Sequence, residues 1–258
     1  MSPEYEILAY WGPRPENSLA IAPRILRMHE GLAEIDPLFA TWSWISRRKL
    51  IPMTSLTIET VAERLEKEGR NLSDVEHEPI VDFGYSFRTY NDHRGPCQIH
   101  VAGTAGAYTG SATYDNLVTV AFPPLEPANA ALINFRVFRA TLLVLAQTWN
   151  ATWAYARPYA LSAHLPSFEK RATPCFHGGW ITYLAAPFAA KIAPPHSAIC
   201  EQVNRGLLMT ATQETFRVDN PAHVAVARDI DAALSPINAL PWPPDASAVA
   251  RSPKGRSL

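Results

Sequence analysis

Three cysteines in 258 residues, Cys97, Cys175 and Cys200, are too few and too widely spaced for a disulfide framework. That scarcity fits a reducing cytoplasm. The N-terminus lacks a basic stretch followed by an apolar run and instead carries Glu4 and Glu6, so no secretory signal is expected. No uninterrupted apolar stretch approaches the length that crosses a bilayer, which argues against a membrane span. Excess charge of either sign is missing too. Lys and Arg number 23 against 24 Asp and Glu, and a net charge of −1 gives no global field toward nucleic acid or anionic lipid. Also missing are a phosphate-binding P-loop, a G-x-G-x-x-G turn, a G-x-S-x-G elbow and an H-E-x-x-H helix, which removes the commonest nucleotide, hydrolase and zinc-protease chemistries.

What remains is an ordinary globular composition, 47% hydrophobic and 18% charged, in a chain long enough for a substantial core. The acids are unevenly placed. From residue 59 to 92 nine acids face four bases, whereas residues 93–200 hold three acids against seven bases.

The periodicity predicts a strand over Tyr5 to Trp11, then a helix capped by Asn17 or Ser18 with the stripe Ile21, Ile25, Met28 and Leu32. Pro23 removes an amide, so that helix is expected to begin beyond its apparent cap. Phe39 to Ile45 reads as an aromatic strand. Thr57 to Glu68 reads as a surface helix with the buried stripe Ile58, Val61, Ala62 and Leu65, closed by Gly69. Runs at Ile80 to Tyr90, Gln98 to Gly103 and Asn116 to Phe122 suggest an antiparallel meander. A strongly apolar helix is expected over roughly residues 127–149, followed by strands at Thr152 to Arg157, Trp180 to Leu184 and Gly206 to Thr212. Asn220-Pro221 opens a last helix that Pro236 stops. Strands without steady βαβ alternation indicate an α+β fold, a mainly antiparallel sheet packed against several helices in a single domain over residues 1–238. Residues 239–258 read as a flexible tail.

Two kinds of chemistry deserve weighing. Cys175 and His177, two apart, meet if the backbone is extended, and with His196 and Cys200 they offer Cys/His ligands of poor zinc spacing. A thiol nucleophile also needs a third group to orient its base, and the acid-poor middle of the chain offers few. These residues sustain the alternative of a small cytosolic enzyme or metal-binding protein. The other reading is recognition of a protein. The acids of residues 59–92, among them Glu59, Glu63, Glu66, Asp74, Glu76, Glu78 and Asp92, would face a basic partner. Trp42 and Trp44, followed by Arg47 and Arg48, would form an aromatic and basic anchor. Trp11, Trp149, Trp153 and Trp180 are expected in the core.

Trp11-Gly12 closing the first strand, Asp36-Pro37 after the first helix and Trp42 beyond it resemble the start of the immunity protein 52 family. Gly84-Tyr85, Gly178-Gly179-Trp180-Ile-Thr-Tyr183, Gly206, Thr212-Gln-Glu-Thr-Phe and Asn220-Pro221-Ala-His223 continue the resemblance over most of residues 5–236. It implies a non-enzymatic cytoplasmic protein with no cofactor and no catalytic residues, which binds and silences a cognate toxin. The toxin so implied is a type VI secretion nuclease effector with a restriction-endonuclease-like domain. Direct contact with nucleic acid or membrane is not part of that expectation.

Overall fold

The computed structural model describes residues 4–46, 49–72, 78–91, 97–108, 116–126, 130–169, 175–203 and 206–240. Ten strands run in one antiparallel sheet: β1 (Tyr5–Trp11), β2 (Trp42–Ser46), β3 (Lys49–Pro52), β4 (Tyr85–Asn91), β5 (His100–Ala105), β6 (Asn116–Phe122), β7 (Trp153–Pro158), β8 (Ile181–Leu184), β9 (Ile199–Val203) and β10 (Gly206–Thr210). Their order is β3-β2-β4-β5-β6-β1-β7-β8-β10-β9. The expected meander is β4-β5-β6, and β1 sits between β6 and β7, joining it to the later strands. The helices are α1 (Ser18–Ala33), α2 (Ile58–Glu68), α3 (Phe135–Trp149), α4 (Pro166–Glu169), α5 (Ala186–Ala189), α6 (Pro221–Ala233) and α7 (Ser235–Asn238). An antiparallel sheet with several helices is the expected α+β arrangement.

Because successive strand residues point to opposite faces, the pairing register sorts the sheet into two sides. On the first side stand Ile7, Ala9 and Trp11 of β1, Trp42 and Trp44 of β2, Tyr85, Phe87 and Thr89 of β4, and Val118, Val120 and Phe122 of β6, all buried. Three helices cover them. Ile21, Ile25, Met28 and Leu32 of α1 and Val137, Phe138, Leu142 and Leu145 of α3 have no exposed surface. Two guanidiniums close the far end of α3, Arg24 bonding the Thr148 carbonyl at 3.2 Å and Arg14 the Trp149 carbonyl at 3.3 Å. Cations at a helix C-terminus favour the dipole there.

The second side is covered only over the later strands. Trp153 and Tyr155 of β7 turn toward it and meet the segment 175–179, with Trp153 5.4 Å from Phe176 between ring centroids. Phe176 in turn packs on Phe188 of α5 at 5.2 Å, and Asn238 of α7 clamps the Phe176 backbone with two hydrogen bonds. The later strands are therefore covered on both sides, since α3 also packs on β7 and β8. Over β2, β4, β5 and β6 the second side carries no helix layer among the described residues.

Several expected boundaries shift for local reasons. Helix α1 begins at Ser18, directly at its apparent cap and not later, with the Asn17 side chain accepting from the Ala20 amide. Pro23 removes only the helical bond to the Leu19 carbonyl, in the first turns of the helix, and the Leu19 side chain is on the exposed face. Strand β2 starts at Trp42 because Asp36 caps a 3-10 turn over Pro37–Phe39. Asn134 caps α3, which starts at Phe135 and not near 127. Ile58, assigned to the buried stripe of α2, is exposed. Strand β4 begins at Tyr85 because Gly84 turns the chain at φ 65°, a conformation that only glycine adopts freely. Strands β3 and β9 were not expected. Both are outer strands, and β9 buries none of its side chains, so neither displays an alternating pattern.

Candidate partner-binding face

The uncovered half-sheet is paved row by row. Across it run Arg88, Ala102, Thr119 and Leu8 in one row, and Tyr90, His100 and Ala121 in the next. Ser86, Thr104 and Leu117 form the third. The small side chains of Ala102, Thr104 and Thr119 leave a trough of about 560 Å³. It is bounded on one flank by Ile45 of β2 and Glu68 at the end of α2. Toward the opposite flank, past Leu8, β7 contributes the buried Tyr155 beneath the 175–179 segment.

Arg88 is the cation of this trough. It is exposed on β4, and no hydrogen bond or ion pair among the described residues involves its guanidinium. The nearby carboxylates are committed elsewhere. Glu68 accepts from Ser46 Oγ at 2.6 Å and pairs with Arg64 at 3.6 Å. Glu6, on the same side of the sheet in β1, is buried and bonded to Arg157 at 2.7 Å. His100 packs against the Tyr90 ring at 5.7 Å. Burial, reinforced by the charge of Arg88, lowers its pKa and favours the neutral imidazole. The sequence carried a signal for this face: Tyr85-Ser-Phe-Arg-Thr-Tyr-Asn alternates strictly, which placed Ser86, Arg88 and Tyr90 together on the less buried side. Reading for acidic runs and tryptophans passed it by.

The residues expected to meet a partner fall into three groups. Trp42 and Trp44 are corrected, since both lie on the helix-covered side, 3% and 2% exposed. The Trp42 indole N–H donates to the Phe39 carbonyl at 2.7 Å, and Trp44 stacks on Phe87. Neither indole is presented to a partner. Glu59, Glu63 and Glu66 are exposed on α2 and Glu78 is exposed beyond it, but Glu63 pairs with Lys67 and Glu66 with Arg70. Those partners drain much of the negative field expected from the run. Arg47, Arg48, Asp74, Glu76 and Asp92 lie outside the described residues.

Cys175 and His177 do meet, with Sγ 3.7 Å from Nδ1. A distant helix supplies the acid that the local sequence lacks. Asp231 of α6 accepts from Ser167 Oγ at 2.6 Å, from the Ser167 amide at 3.1 Å and from the Gly178 amide at 2.8 Å. Asp231 reaches the imidazole through Ser167 and not directly. Ser167 Oγ donates its proton to Asp231, so the contact at 2.8 Å from His177 Nδ1 has the imidazole donating. With Nδ1 carrying the proton, the accepting nitrogen is Nε2, 4.0 Å from Sγ, and the thiol is 3% exposed. The geometry is that of a clamp holding α4, α6 and the 175–179 segment together. Gly178 permits it, because a Cβ there would lie 2.7 Å from the Asp231 nitrogen. Among the described residues no three His, Cys, Asp or Glu side chains converge as metal ligands, and no helix is long and apolar enough to cross a membrane.

Comparison with curated proteins gives no match. Among solved structures, a Pseudomonas aeruginosa T6SS protein, PA0821, is similar at 12% identity and a TM-score of 0.48, over 89% of this chain and 73% of that one. The family model of Immunity protein 52 matches residues 4–240. That span takes in every strand and helix described above, and the chain belongs to the Immunity protein 52 family.

Proposed function

We propose that the chain neutralises one cognate toxin by direct protein–protein contact, in the cytoplasm and without a cofactor. The toxin class that we infer is a DNA-cleaving effector with a restriction-endonuclease-like domain, delivered by type VI secretion. The family match over residues 4–240 carries the immunity reading. The nuclease assignment comes from the motif resemblance and a physical fit. A protein that grips DNA carries positive charge around its groove, and the exposed carboxylates Glu59, Glu63, Glu66 and Glu78 would steer it. The same fit motivates Asp74, Glu76 and Asp92 as further acids of that field, whereas Arg47 and Arg48 are proposed as contacts because arginine is enriched at interfaces.

Deleting this gene alone should leave cells sensitive to toxin-armed siblings, and restoring it should rescue them. Normal growth of the deletion strain beside such siblings would refute immunity. In vitro, the purified chain should abolish DNA cleavage by its toxin at one-to-one stoichiometry. Inhibition of some other activity would retain immunity and discard the nuclease. The enzymatic alternative is tested by Cys175→Ala, which should protect cells as well as the native chain does.

A further inference from the structure

We propose that the uncovered half-sheet is the toxin-docking surface, and that Arg88 anchors a carboxylate-bearing segment of the toxin in the trough. This rests on the immunity reading and adds to it a place and a chemistry. Three observations carry it.

The first is charge. Arg88 stands in the trough without a partner among the described residues, while Glu6 and Glu68 are engaged by Arg157, Ser46 and Arg64. Beside a neighbouring imidazole of depressed basicity, Arg88 is the one fixed cation among the described residues lining the trough, and its complement is a carboxylate. A cationic segment would be repelled. The second is shape. The trough of about 560 Å³ is open along the strands and floored by Ala102, Thr104 and Thr119, which admit a protruding loop or helix end. The third is composition. Arginine and tyrosine, here Arg88 and Tyr90 on one face, are both among the residue types enriched where binding energy concentrates. A planar guanidinium also suits bidentate capture of a carboxylate, whereas an ammonium does not.

The probe is the domain of the cognate toxin, purified in a catalytically inactive form and titrated calorimetrically against the full chain. Arg88→Glu should raise Kd at least about 100-fold, and Arg88→Lys should recover only part of it, as expected for a buried charge-assisted contact. Ala102→Trp, which fills the floor without altering charge, should weaken binding comparably. All three variants must keep the native melting temperature, as substitutions on an uncovered face should. If the native chain binds and Arg88→Glu and Ala102→Trp bind within about threefold of it, the docking surface lies elsewhere and the immunity reading stands. If the native chain itself does not bind, the immunity reading fails for this toxin, and the docking proposal with it. A native dimer that Arg88→Glu dissociates would assign the face to a second copy of this chain and overturn the proposal.

Discussion

The indoles of Trp11 and Trp149 stack with ring centroids 4.7 Å apart and planes 13° from parallel. Phe87 continues the column on the other face of Trp149 at 5.8 Å, and Trp44 follows at 6.5 Å. One helix and three strands are thus tied by a single aromatic file. Trp149→Ala should cost about 3–5 kcal/mol, the usual loss for a large aromatic deleted from a packed core. Urea unfolding reads this directly, with Trp149→Phe falling between the two. An unchanged midpoint for Trp149→Ala would mean that the file contributes nothing.

His29 makes stability depend on pH. Its Nδ1–H donates to the Ile25 carbonyl at 2.8 Å and its Nε2 accepts from Thr89 Oγ1 at 2.9 Å, so both nitrogens are used by the neutral ring. Burial pushes its pKa down to about 4. The unfolded chain takes up this proton near pH 6.5 and the folded one only near 4, so between those values the unfolded state binds more protons. The contribution is complete above 6.5 and is lost as pH falls through the window, by roughly 3 kcal/mol over its full span. Comparing denaturant midpoints at pH 7.5 and 5 should show the decline, and His29→Gln should flatten it. Equal slopes in the two proteins would place the proton uptake elsewhere.

Glu6 and Arg157 form a buried ion pair, each side chain 7% exposed, with the Tyr155 hydroxyl donating to the same carboxylate oxygen at 3.0 Å. Glu6→Gln strands a guanidinium in the interior and should cost about 3–5 kcal/mol. Adding Arg157→Met should restore part of that, because the second change removes the stranded charge. A double-mutant cycle measures the coupling, and a value below about 0.5 kcal/mol would show two independent residues.

Asp231→Ala should release the clamp between α4, α6 and the 175–179 segment. Its signature is chemical: in a background lacking Cys97 and the exposed Cys200, the buried Cys175 should react with a thiol reagent at least about tenfold faster as local opening becomes easier. Equal labelling rates would show that the segment is held by its aromatic contacts alone.

Elements with a one-sided pattern were legible from the sequence. The stripe Ile21, Ile25, Met28 and Leu32 predicts α1, and the alternation of Asn116 to Phe122 predicts β6 to the residue. Boundaries set by a single capping side chain, as at Asp36 and Asn134, were misjudged because apolar residues continue past the cap. The uncovered face was harder to see. Tryptophans beside basic residues suggested an anchor, yet an aromatic strand under two helices has the same spelling as one facing outward. The Ser167–Asp231 contact spans 64 residues, and no local spacing encodes it.

Along β4 and β5 the duties of adjacent residues are separated. Tyr85, Phe87 and Thr89 hold the helices, while Ser86, Arg88 and Tyr90 between them support no helix layer among the described residues. Every second codon of these strands can therefore be rewritten with little cost to folding, since substitutions away from the core usually change stability by less than about 0.5 kcal/mol. Such a chain could retarget itself to a new adversary one alternate position at a time, on a scaffold that registers none of the changes.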